Sequence, residues 1–147
     1  MRSSADMKIA SSQLAMHAAR LLLGGVFIYA GYVKIIDPAG FAKNIYQYQL
    51  LPDLWVNVSA VFLPWLEVIT GAALILAAQL RRGAAALIFM MLLVFTAAIV
   101  ISIFRGLDIS CGCLSTDPSA AKIGWRKVAE NTGLLALAAL SFFKARN

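Results

Sequence analysis

The sequence predicts an all-α fold, an integral-membrane bundle of four antiparallel helices with a short interfacial helix between spans 1 and 2. Three observations carry this expectation. Apolar residues make up 61% of the 147 and charged residues only 14%, with a mean hydropathy of +0.80, a composition of membrane proteins rather than soluble domains. The apolar residues fall into runs of about the 20 residues a bilayer requires, separated by short stretches rich in Pro, Gly and charge. One of these breaks, Gln79-Leu80-Arg81-Arg82-Gly83, is so short that the runs flanking it must be antiparallel neighbours.

The first 16 residues are polar, contain Arg2 and Lys8, and predict no strong element. Span 1 is expected at about residues 17–36. Leu21–Ala30 is followed by Gly31-Tyr32-Val33-Lys34, a poor cleavage site, so an uncleaved start is expected. Gly24 and Gly31 are seven apart and share one face, where a neighbouring helix can approach closely. Asp37-Pro38 stops the helix. Residues 39–53 are too polar to span. Phe41, Ile45 and Tyr48 recur at helical spacing there, with Lys43, Asn44 and Gln47 mostly elsewhere, which predicts a short interfacial helix anchored by Tyr46 and Tyr48. Span 2 is expected at about 54–80, with Pro64, Trp65 and Glu67 in its interior, and span 3 at about 83–104, free of charge. Span 4 is expected at about 123–143; Arg126, Lys127 and Glu130 in its first turns shorten its uncharged part, which snorkelling can extend. The whole chain, 1–147, is read as one membrane domain.

An even number of spans puts both termini on one side. Basic residues barely separate the two sides, and the tight Arg81-Arg82 turn decides for cytoplasmic termini, with the loop after span 3 facing outward across a bacterial inner membrane. The formal charge of +6 sits at the ends of apolar runs, where lipid headgroups account for it, so membrane lipid and not nucleic acid is the expected partner.

The chemistry is concentrated in Asp108-Ile-Ser-Cys-Gly-Cys-Leu-Ser-Thr-Asp-Pro118. Cys111 and Cys113 are the only cysteines. Two thiols flanking a glycine in an outward polar loop read as a redox pair. Gly112 has the φ/ψ freedom to bend the chain between them. A ring closed over one intervening residue has few relaxed geometries, which makes such a bridge reducible and suited to exchange. The bland alternative is a pair of inert thiols. Two thiolates also suit a soft metal such as Cu(I) or Hg(II), but a closed zinc site needs four ligands, and His17 falls on the opposite side. No metal ligand set is assigned. Glu67, about a dozen residues into span 2, is a functional candidate because an intramembrane carboxylate is expensive; its structural alternative is a satisfied pairing with Lys34, Asn131 or a tyrosine. Lys34 and Lys43 are most simply snorkelling residues, and Trp65 an anchor or core residue.

The run Val26-Phe-Ile-Tyr-Ala-Gly-Tyr-Val-Lys-Ile-Ile-Asp-Pro38, then Phe41, Tyr48, Leu51-Pro52, Leu63-Pro-Trp-Leu-Glu67 with Gly71, Ile109-Ser-Cys-Gly-Cys113, Ile123-Gly-Trp125 and Asn131 resembles the DoxX-like membrane proteins, more closely their MauE (methylamine utilisation) branch. The resemblance covers nearly all of the stretch from His17 to Phe143. It implies a redox-associated protein, linked to disulfide formation in exported proteins beside a thioredoxin-like partner. It makes Cys111 and Cys113 the redox pair, with Glu67 and Lys34 at pattern positions of unassigned role. Leu114-Ser115 stands where the branch often has Phe-Gly, and Glu130 where it often has Arg.

The expected function is thiol–disulfide exchange at the outer face: if the protein is an enzyme, a thiol–disulfide oxidoreductase. Cys111 and Cys113 would be catalytic, with Gly112, Glu67 and Lys34 in support and Cys113 the more accessible sulfur. A membrane quinone is the cofactor suggested by analogy of architecture, with no quinone motif visible. Expected partners are lipid, an exported or thioredoxin-like protein, and a larger membrane complex. The alternatives are a soft-metal binder or transporter, and a structural accessory subunit with a static bridge.

Overall fold

The computed structural model describes residues 3–145. It consists of five helices: α1 (Ser4–Ile36), α2 (Pro38–Gln47), α3 (Asp53–Leu76), α4 (Arg81–Phe104) and α5 (Trp125–Lys144). No strand occurs among the described residues; one isolated antiparallel bridge joins Ser110 to Lys122. Three helices, α1, α3 and α4, are long and apolar enough to cross a membrane. α5 carries Arg126, Lys127 and Glu130 in its first two turns and Lys144 at its end. Phe62, Leu76 and Phe104 are more than 70% exposed. Such faces are a liability in water, and with the three long helices they fit a membrane protein, where lipid covers them.

The expectation of no element before residue 17 is corrected: α1 begins at Ser4. Ser3 and Asp6 form a capping box that satisfies free N–H groups, and neither Gly nor Pro interrupts the chain before Gly24. At its other end α1 stops at Ile36 because Pro38 bars the helical conformation from Asp37. Asp37 then caps α2, its Oδ1 accepting from Gly40 N at 2.9 Å.

α1 lies closest to α3. A Cβ on Gly24 would stand 2.8 Å from Gly71 O, one on Gly31 2.5 Å from Pro64 O, and one on Gly71 2.7 Å from Gly24 O. Only hydrogen at these positions lets the backbones meet, as the shared face of Gly24 and Gly31 leads one to expect. Pro64 sits inside an unbroken α3. α3 packs on α4, α4 on α5 and α5 on α1, with α2 against α1 and α3. Lys144 Nζ donates to Ser12 Oγ at 3.0 Å, joining the two described ends of the chain. α2 and the cysteine loop meet at the opposite end.

Candidate functional site

The loop between α4 and α5 holds the Cys111–Cys113 disulfide. Gly112 between them has φ +66°, a left-handed conformation in which side chains are strained. Space is tight as well, since a Cβ there would lie 3.0 Å from Asn44 Cβ and 3.2 Å from its Nδ2 and would need Asn44 to shift. The loop is held at both flanks: Cys111 N donates to Ala121 O (3.1 Å) and Ile123 N to Ile109 O (3.0 Å).

α2 forms the floor of the loop. Its buried face is Phe41, Asn44 and Tyr48, which corrects the expected face of Phe41, Ile45 and Tyr48. Asn44 Nδ2 donates to Thr116 O at 3.3 Å. The Tyr48 hydroxyl donates to Cys111 O at 2.9 Å, and Arg105 Nη1 donates to Tyr48 O at 2.9 Å. Tyr48 is therefore not the headgroup anchor expected of it; Tyr46, 60% exposed, is free for that role. Burial pushes the Tyr48 phenol up to about 12, so it stays a donor throughout the neutral range.

Beneath this floor is a buried ion pair. Lys34 Nζ lies 2.7 and 2.9 Å from the two carboxylate oxygens of Glu67, with side chains only 2% and 4% exposed. The reading of Lys34 as a snorkelling residue is corrected, and Glu67 takes the lysine among its three candidate partners. The close α1–α3 crossing sets the pair: Lys34 is one turn beyond Gly31, and Glu67 one turn before Gly71, so both project from the faces that the glycines bring together. The rings of Phe41 and Phe95 face the ammonium at 4.8 and 5.3 Å.

Two cavities flank the bridge. On the Cys113 side, a cavity of about 70 Å³ is lined by Lys34, Glu67, Phe95, Cys113, Lys127 and Asn131 among others. It has room and polar partners for a few waters. On the Cys111 side, an apolar cavity of about 530 Å³ is walled by Tyr48, Leu63, Met90, Val94, Phe95 and Cys111, among others. Met90 (54% exposed) and Val94 (64%) make it open outward between the helices. Its size and apolar walls fit a quinone ring and the start of its tail. Asn44, which also lines it, has its Oδ1 buried with no partner among the described residues, an acceptor suited to a quinol hydroxyl. Cys111 is buried and Cys113 half-buried, the accessibility order expected. Cys113, Lys34 and Glu67 thus share one cavity, while Asn44, Tyr48 and Phe95 join the site without having been singled out for it. No group of three His, Cys, Asp or Glu side chains among the described residues is placed to hold a metal ion, and His17 lies near the middle of α1, lining a cleft with Arg20, Arg81 and Lys144 and no cysteine.

A family model described as "Methylamine utilisation protein MauE" matches residues 12–144. Curated relatives described as "Methylamine utilization protein MauE" are 32% identical over 126 residues in Paracoccus denitrificans, 33% over 128 in Methylophilus methylotrophus and 34% over 122 in Paracoccus versutus. These alignments cover 85%, 86% and 82% of this chain and 67%, 65% and 64% of the relatives, so the chain spans about two thirds of their length. No solved structure gives a significant match.

Proposed function

We propose that this chain, which belongs to the MauE family, is a membrane thiol–disulfide exchange protein that supports disulfide formation in exported proteins, in the service of methylamine utilisation. In this reading α5 crosses the bacterial inner membrane together with α1, α3 and α4, giving a single four-helix antiparallel bundle. The termini are cytoplasmic and the cysteine loop faces outward. The observation that carries the proposal is the position of the Cys111–Cys113 bridge between two unlike cavities, one with the Lys34–Glu67 ion pair in its wall, one apolar and open between helices.

A thiolate of the exported dithiol protein attacks Cys113 Sγ, the half-buried sulfur. The Cys111–Cys113 bond breaks and Cys111 leaves as a thiolate. The partner's second thiolate then attacks the mixed disulfide and releases Cys113. The partner is oxidised by two electrons and the cysteine pair is reduced by two. Lys34 and Glu67, in the cavity that Cys113 lines, supply a proton station for the thiols so formed. The Tyr48 donor and the Asn44 wall keep the loop in register while the bridge opens. Reoxidation needs a lipid-soluble acceptor of two electrons and two protons, the chemistry a quinone supplies when bound, and the cavity beside Cys111 suits one. A thioredoxin-like carrier can occupy the same outward face as the exported protein, within a larger complex.

A second reading has its own support. Cys111 is buried and its loop is hydrogen-bonded on both flanks, as in a static staple of an accessory subunit. Single-cysteine trapping separates the two. In Cys111→Ser the Cys113 thiolate attacks the disulfide of an oxidised exported or thioredoxin-like partner, releasing one partner thiolate and leaving a mixed disulfide that no second cysteine of this chain can resolve; Cys113→Ser captures far less. Absence of any mixed disulfide with both variants would reject exchange.

A further inference from the structure

The end of the molecule remote from the cysteines carries a second cleft. It is lined by one face of α1 (Lys8, Ser12, Gln13, His17 and Arg20), by Arg81 at the start of α4 and by Lys144 at the end of α5. Its volume is about 560 Å³. Among the described residues, four cationic side chains converge here and no carboxylate lines the cleft. Like charges gathered without a counter-ion repel one another, so the arrangement is unfavourable unless an anion completes it.

Two of the cations are partly withdrawn from water. Arg20 is only 9% exposed, and its Nε is buried without a partner among the described residues. Arg81 Nε is buried and unpartnered as well, although its Nη2 donates to Ile75 O at 3.4 Å. A buried N–H on a guanidinium left unpaired is costly. A tetrahedral oxyanion is the complement of two such forks, because guanidinium donors match phosphate oxygens in pairs. The level of the cleft selects the ligand further. Arg20 immediately precedes the apolar run Leu21-Leu22-Leu23, so the cleft sits where a helix leaves hydrocarbon for the headgroup layer. Ile9 and Met16 give it an apolar side.

We infer that this cleft is a phosphate-binding site, in which Arg20 and Arg81 hold the phosphate group and Lys8 and Lys144 add charge. The phosphate of an anionic phospholipid and a free phosphate present the same oxyanion. The site is independent of the cysteine chemistry and stands or falls without it.

The test uses full-length protein in a zwitterionic detergent, with short-chain phosphatidylglycerol, short-chain phosphatidylcholine and inorganic phosphate as separate probes. Binding is read by native mass spectrometry and by the rise in unfolding temperature that a ligand of the folded state produces. The wild-type protein should take up phosphatidylglycerol saturably and in preference to phosphatidylcholine. Arg20→Gln and Arg81→Gln should each weaken this about tenfold, the scale of one lost charge-assisted hydrogen bond. Arg82→Gln should leave it unchanged, because Arg82 lies over the Phe142 ring at 4.7 Å and does not line the cleft. Displacement of the lipid by inorganic phosphate identifies a site that reads phosphate alone. Its failure to displace identifies the lipid headgroup as the ligand. Wild-type protein that gains neither mass nor stability with phosphatidylglycerol or phosphate overturns the inference, and so does equal binding by the three arginine variants.

Discussion

Replacing Glu67 by Gln tests the buried pair, because it removes one charge and leaves the other. Lys34 would keep its ammonium among α1, α3 and α4 without its paired carboxylate, while Glu130, the other carboxylate lining that cavity, is already paired with Arg126 and Lys127. Breaking a buried pair in this way costs about 3–5 kcal/mol, most of it the penalty of an uncompensated charge. The Phe41 and Phe95 rings lie over the ammonium, and cation–π attraction at desolvated sites reaches about 2 kcal/mol. That partial compensation puts the expected loss at the lower end, about 3 kcal/mol. For a chain of this size it corresponds to a fall in Tm on the order of 10 °C. The double variant Lys34→Met, Glu67→Leu removes both charges and fills the space with apolar atoms, so its stability should return to near the wild-type value. Thermal unfolding in detergent, at one fixed scan rate, reads stability; oxidation of a dithiol substrate reads turnover. If the pair is a proton station, the double variant is stable and slow. Wild-type turnover in a stable double variant would refute the functional role. A Glu67→Gln protein melting within about 2 °C of wild type would refute the energetic reasoning itself.

Other consequences follow from the packing and the orientation. Gly31→Ala should destabilise the protein by about 1–3 kcal/mol in the same unfolding assay, because its Cβ would press on Pro64 O; Gly25→Ala, with open space around it, should be neutral or stabilising. Gly112→Val combines a left-handed φ with a contact on Asn44, so it should lower stability by at least about 1–2 kcal/mol and slow thiol exchange, measured by alkylation kinetics. A membrane-impermeant thiol reagent should label Cys113 in intact, reduced cells and should reach a cysteine introduced at Gln79 only after lysis; the reverse pattern would invert the topology.

The helices were legible because apolar runs and their Pro, Gly and charge breaks are local signals. α3 and α4 begin within two residues of their expected starts. The beginning of α1 was not legible from hydropathy, since a capping box, not apolar periodicity, extends it to Ser4. The cysteine pair stood out by composition alone. The Lys34–Glu67 pair was half legible. Lys34 stood among three partners considered for Glu67 but was itself read as a snorkelling residue, and the signal that joins them is the glycine stripe of Gly24, Gly31 and Gly71, which marks the two faces in contact. Asn44 and Tyr48 were hidden for a different reason. An amphipathic helix with polar residues on one side looks alike whether that side meets water or a loop more than sixty residues away, as the Tyr48–Cys111 bond does.

The central claim is that the Cys111–Cys113 bridge exchanges rather than staples, and its equilibrium with glutathione tests this most directly. Purified protein is equilibrated in graded glutathione buffers and its thiols are trapped by alkylation. One residue between the two half-cystines leaves the ring few relaxed closures, which raises the potential above the structural range of below about −300 mV. A single two-electron transition is expected at a potential above that range, with Cys111 and Cys113 titrating together. A bridge that stays fully oxidised at poises below about −300 mV would contradict it and leave a static staple.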